Sequence, residues 1–141
     1  MEREKFSLRV PGQPFNFLTP YGESRVKSLF SYNMSNSLKS AILKTLSDED
    51  RTADGLTINR YDPGDFLKRH KDSLGRYWKF KLIFLRCDEN HFMWYDDSGA
   101  AHLINEEPGS YIEMPIHIEH EVTEIGPTEK SKFSLVLSWE I

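Results

Sequence analysis

Cys87 is the only cysteine among 141 residues. No intrachain disulfide can form, and a structural zinc site built from thiolates is excluded. A lone thiol fits a reducing compartment, so a cytoplasmic location is expected. No apolar run is long enough to span a bilayer, and no membrane association is expected. The first residues, Met1-Glu2-Arg3-Glu4-Lys5, are charged where a secretory signal would be apolar. Repeats, low-complexity tracts and a domain linker are also missing.

Positive charge is absent from one long stretch. Cys87 to Glu129 contains eleven acidic residues and no Lys or Arg, whereas Arg60 to Arg86 contains eight basic residues and three acidic ones. The net charge of −4 gives no electrostatic basis for general nucleic-acid binding, and no nucleic-acid partner is expected. The asymmetry reads either as two solvated faces or as a basic rim around a site that receives an anion. On the second reading, basic side chains ring the mouth of the site.

What is present is enough for a core: 38% hydrophobic and 13% aromatic residues in a chain the size of one domain. Phe6, Leu8 and Val10 alternate with polar neighbours and predict a short strand. Pro14 and Pro20 predict an irregular stretch. Glu23 to Phe30 reads as a short helix with Val26, Leu29 and Phe30 on one side. Ser35 is a candidate N-cap for a second helix, in which Leu38, Ile42 and Leu46 recur at fourfold spacing.

After Gly55 short strand-like runs follow one another: 56–61, 78–86, 91–95, 101–104, 110–114, 119–125 and 133–139. Turn formers such as Asp62-Pro63-Gly64 and Pro108-Gly109 separate them. The expected fold is mainly β with N-terminal helices: residues 1–55 packed on a jelly-roll core, 56–141, within one domain.

Two segments carry chemistry. His70 and Asp72 stand two apart, so an extended backbone points both to one side. A second run, Gly109 to Pro115, leads to His117, His120, Glu121 and Val122. Two imidazoles and one carboxylate suit Fe(II) and leave adjacent coordination positions open. His120 is preferred as the third ligand. His117, three residues earlier, would face the opposite way on a strand. His91 and His102 lack a partner pattern and read as packing or surface residues.

From about Leu56 onward the chain resembles the 2-oxoglutarate and Fe(II)-dependent oxygenases, most closely the prolyl 4-hydroxylase-like branch. The resemblance is carried by Tyr61, Gly64, His70, Asp72, Gly109, His120-Glu121-Val122 and Lys132-Phe133-Ser134, in that order. It implies Fe(II) held by His70, Asp72 and His120, with 2-oxoglutarate and O2 as co-substrates. It also implies that a basic residue binds the far carboxylate of 2-oxoglutarate. That residue is often Arg in the family; here only Lys130 and Lys132 are available. Lys132 is preferred because it shares a strand face with Ser134, while Phe133, Leu135 and Leu137 fall on the other. The resemblance further implies that the Tyr61 hydroxyl helps to hold the same carboxylate. Asn59 shares the strand face of Tyr61.

The implied reaction is hydroxylation of an unactivated C–H bond, with release of succinate and carbon dioxide. The Asp72 carboxylate favours hydroxylation over halogenation, because related halogenases lack it. The implied substrate is a prolyl residue in a peptide, or a small molecule such as a free amino acid. Two other readings stay open: a cupin-type metalloenzyme that does not use 2-oxoglutarate, and a non-catalytic jelly-roll binding module.

Overall fold

A computed structural model describes residues 14–19, 22–72 and 76–141, with side chains from residue 24 onward. The described strands are β1 (Pro14–Thr19), β2 (Gly22–Phe30), β3 (Gly55–Tyr61), β4 (Leu67–His70), β5 (Tyr77–Arg86), β6 (Phe92–Tyr95), β7 (Ala101–Leu103), β8 (Tyr111–Pro115), β9 (His120–Val122) and β10 (Lys132–Glu140). One α-helix, α1 (Asn36–Thr45), lies between β2 and β3. Six strands form one sheet in the order β1-β2-β3-β10-β5-β8, and four form another in the order β4-β9-β6-β7. Every pairing is antiparallel.

The strand pattern after Gly55 agrees with the sequence expectation, with β4 added. The N-terminal part does not. Residues 23–30, expected as a helix, lie in β2, and 14–19, expected as irregular, form β1. The reason lies in the inward positions of β2. Ser24, Val26 and Ser28 are all buried on one face, two of them as hydroxyls. The Ser24 hydroxyl accepts from the Lys68 N–H at 2.8 Å, and the Ser28 hydroxyl donates to the Asn59 side chain at 2.7 Å. A strand whose inward positions are serines loses the apolar alternation that marks strands in a sequence. The expected strand at Phe6–Val10 lies outside the described residues.

The large sheet is covered on both faces. On one, Leu29, Ile58, Ile83, Leu135 and Leu137 pack with Leu38, Ile42 and Leu46 from α1 and its end. Each such side chain, taken fully out of water, contributes about 1.5–3 kcal/mol. On the other, Val26, Phe80, Leu82, Phe84 and Met114 meet Leu67, Phe92 and Val122 from the small sheet. The two sheets therefore pack face to face.

The helix begins where expected. The Ser35 hydroxyl accepts from the Leu38 N–H at 3.2 Å, which satisfies one of the otherwise unpaired first-turn donors. Ser35→Ala is expected to lower stability by about 1 kcal/mol, read as a lower denaturant midpoint with an unchanged slope. No helix among the described residues is long and apolar enough to cross a membrane.

Candidate metal centre and adjoining cavity

β4 and β9 are neighbours in the small sheet, and their register makes His70 the direct cross-strand partner of His120. The two imidazole centroids are 4.4 Å apart. Asp72 follows just beyond the end of β4. Its Oδ1 is 3.4 Å from His70 Nε2, and its Oδ2 is 3.5 Å from His120 Nε2. One ligand atom from each of the three residues lies within 4.8 Å of the others.

The backbone fixes which imidazole nitrogens are free. His70 Nδ1 lies 2.7 Å from the Lys68 carbonyl, and His120 Nδ1 lies 3.0 Å from the Ile118 carbonyl. A carbonyl can only accept, so each Nδ1 carries the proton and donates it. Each Nε2 then points toward Asp72, and in the neutral imidazole it carries the lone pair there. This is the arrangement a metal requires: neutral imidazoles, locked tautomers and a carboxylate on the same side. Two nitrogens and one oxygen suit Fe(II), and three protein ligands leave positions open.

The electrostatics of the three groups differ. Burial pushes the His120 imidazole down, and the His70 charge adds to this. Burial also acts to lower His70, but its contact with Asp72 outweighs that and raises it. For Asp72, burial acts upward, and the hydrogen bond from His70 with the nearby imidazole charges outweighs it, so the carboxyl is held low. His70 is thus the member that keeps a proton to the highest pH, and a metal must displace that proton. Below its raised range, metal affinity is expected to fall about tenfold per pH unit, with one proton released per ion bound. Metal titration across pH, with proton release measured in parallel, checks this.

The triad opens into a cavity of about 430 Å³. β2, β3 and β10 line it with Ser28, Thr57, Asn59, Tyr61, Lys132, Ser134 and Ser138, and apolar walls come from Phe80, Leu82, Phe92 and Val122. The register of β3 with β10 sets Tyr61 directly opposite Lys132, and Asn59 opposite Ser134. Lys132, Ser134 and Tyr61 are all buried. Burial raises the Tyr61 hydroxyl, with Asp72 and Asp65 adding to the effect, so it stays protonated and able to donate. Phe133, Leu135 and Leu137 face the opposite way, into the α1 layer.

The rivals are placed elsewhere. His117 is exposed in the turn before β9, and Lys130 is exposed before β10. His91 is buried between Thr123, at 2.8 Å, and Glu129, at 2.7 Å. His102 stacks on Trp94 and contacts Asp96 at 2.7 Å. The basic residues expected at the rim, the eight between Arg60 and Arg86, are not among those lining the cavity. Several are held in ion pairs instead, such as Arg69 with Glu119 at 3.1 Å and Lys81 with Asp50 at 2.9 Å.

One residue at the site left no sign in the sequence. Glu106 is buried, with its Oε1 on the Lys132 ammonium. Its Oε2 accepts from the His91 N–H and, at 3.1 Å, from the Phe92 N–H. In sequence it sits in Asn105-Glu106-Glu107-Pro108-Gly109, which reads as an acidic surface turn. Burial pushes the Lys132 ammonium down to about 8, with Cys87 opposing, so the lysine is mostly charged at neutral pH.

The fold and the site together define a class. The two sheets have the fold of solved 2-oxoglutarate–Fe(II) oxygenases and prolyl hydroxylases, and the His-Asp-His cluster is a candidate metal site set between them. An oxidoreductase of the 2-oxoglutarate–Fe(II) oxygenase family from Burkholderia pseudomallei superposes with a TM-score of 0.68 at 18% identity, covering 96% of this chain and 75% of that one. A prolyl hydroxylase from Trichoplax adhaerens, solved with a peptide fragment of the hypoxia inducible factor oxygen degradation domain, gives 0.67 at 12% identity, covering 98% and 75%. A Pseudomonas putida prolyl-4-hydroxylase gives 0.58 at 17% identity, covering 86% and 70%. At these identities the likeness establishes a shared fold. No protein-family model matches the sequence, and no curated protein matches it.

Proposed function

We propose that this protein is a 2-oxoglutarate- and Fe(II)-dependent dioxygenase that hydroxylates an unactivated C–H bond, built as a single double-stranded β-helix domain. The observation that carries the reading is that the three metal-ligand side chains and the buried Lys132 line one cavity. Lys132 lines the cavity as well as meeting Glu106 behind it, so an anionic co-substrate on the metal has an ammonium within the same cavity. Iron, once bound with 2-oxoglutarate and dioxygen, supplies the oxidising chemistry, and succinate and carbon dioxide are released.

The chain's own residues have distinct tasks. His70, Asp72 and His120 hold the metal, and the Lys68 and Ile118 carbonyls aim the two imidazoles. Lys132, with Ser134 and Tyr61, receives the far carboxylate of 2-oxoglutarate. Phe80 and Phe92 flank the His120 ring at 5.2 and 5.6 Å and would shield that imidazole from water when it holds a metal. The cavity leaves space for a substrate group beside the co-substrate. The fold likeness to prolyl hydroxylases, one of them solved with a peptide, favours a prolyl residue in a peptide, with a free amino acid as the small-molecule counterpart.

The test is succinate formation by the purified protein with Fe(II), 2-oxoglutarate and proline-containing peptides, against a metal-free control. Metal-dependent succinate that rises with one peptide class supports the reading and names the substrate. A metal-loaded protein that neither binds nor consumes 2-oxoglutarate would leave the cupin-type metalloenzyme as the better account.

A further inference from the structure

We propose that Glu106 sets the selectivity of the keto-acid site: it is the built-in counter-ion of Lys132, and a co-substrate's far carboxylate binds only by sharing that ammonium with Glu106 or by drawing it away. This rests on the reading of Lys132 as the co-substrate cation. The geometry comes from both partners. Lys132 lines the cavity and Glu106 does not, so the lysine reaches through the wall to a carboxylate behind it. The Lys132 and Glu106 side chains are 2% and 0% exposed, so solvent does not screen the pair. Glu106 is also held in place. The His91 and Phe92 N–H groups bind its Oε2, and its own N–H donates to Asn90 Oδ1 at 2.8 Å. Two backbone donors on one carboxylate oxygen favour the ionised form.

The pair is therefore already neutral before any ligand arrives. A cation with no partner attracts a carboxylate strongly in a buried site. A neutralised one does not, because the incoming carboxylate meets Glu106 as well as Lys132. The protein should accordingly discriminate little between 2-oxoglutarate and 2-oxopentanoate, a keto acid of the same chain length that ends in a methyl group. Neutralising Glu106 should create the discrimination. In Glu106→Gln the carboxamide oxygen can still accept from His91 and Phe92, and the amide N–H groups then face Lys132. Two sets of donors confront each other until a ligand carboxylate comes between them.

The experiment is calorimetric binding of both keto acids to the Fe(II)-loaded protein under anaerobic conditions, with melting curves in parallel. Glu106→Gln is expected to bind 2-oxoglutarate at least about tenfold more tightly than the wild type, with 2-oxopentanoate unchanged. It should melt lower than the wild type without ligand and gain more from 2-oxoglutarate. Lys132→Met/Glu106→Gln, which removes both charges, should fold and bind the two keto acids alike. The proposal is overturned if folded Glu106→Gln binds 2-oxoglutarate no more tightly than the wild type, or if the double variant still prefers 2-oxoglutarate. If 2-oxoglutarate binds neither the wild type nor any variant, the co-substrate reading itself falls, and this proposal falls with it.

Discussion

His120→Ala is expected to lose more than about a hundredfold in Fe(II) affinity, while His117→Ala binds the ion as the wild type does. The two histidines are three residues apart and chemically identical, so only position separates them. His120 opens β9, pairs across the sheet with His70, and is buried with its Nδ1 on the Ile118 carbonyl. Its Nε2 has no direction left but toward Asp72. His117 is exposed in the turn before the strand. Removing an aimed ligand costs its coordination bond and leaves two ligands, too few to hold a labile divalent ion. Changes to groups that only orient ligands cost about 10–100-fold, so the loss at His120 should exceed that range. Metal titration of both variants, with circular dichroism to verify the fold, decides it. Loss of binding in His117→Ala with retention in His120→Ala would mean that the ligand set is assigned to the wrong segment.

Lys132→Ala should weaken 2-oxoglutarate relative to 2-oxopentanoate, because the uncompensated Glu106 carboxylate then repels the far carboxylate, and should destabilise the fold by about 3–5 kcal/mol. The second effect follows from Glu106. Truncating the lysine strands a fully buried carboxylate without its cation, and that penalty is separate from any loss of ligand contacts. Lys132→Met/Glu106→Gln should recover most of the stability and bind 2-oxoglutarate and 2-oxopentanoate alike. The recovery separates a folding defect from a binding defect. Lys130→Ala should change neither, because Lys130 is exposed and only its backbone N–H is engaged, with Asp88 at 2.7 Å. Equal stability of Lys132→Ala and the wild type in denaturant would contradict the buried pair.

Part of this protein was legible in one dimension. An i, i+2 pair such as His70 and Asp72 needs only an extended backbone to converge, and the local sequence supplies that. The alternation across β10 likewise separates Lys132 and Ser134 from Phe133, Leu135 and Leu137, because strand geometry has a period of two. The Ser35 cap and the fourfold apolar spacing of α1 are local as well. Local rules failed at β2. There the inward hydroxyls of Ser24 and Ser28 meet hydrogen-bond partners on β4 and β3, so serines stand where apolar residues would mark a strand. Nothing within the segment could report what lay across from it.

What the sequence by itself determined is therefore the short-range part: strand periods, turns, one helix with its cap, and the residue types for a candidate two-histidine, one-carboxylate metal site. Tertiary structure alone decided the pairings between distant segments. The register of β4 with β9 set His120, and not His117, beside His70, that of β3 with β10 set Tyr61 against Lys132, and the packing of the Glu106 turn placed a carboxylate behind that lysine. Side-chain direction is a local property of the backbone. Register and burial are set by which distant surfaces exclude water together, and a carboxylate in an acidic turn carries no mark of the buried cation it will meet.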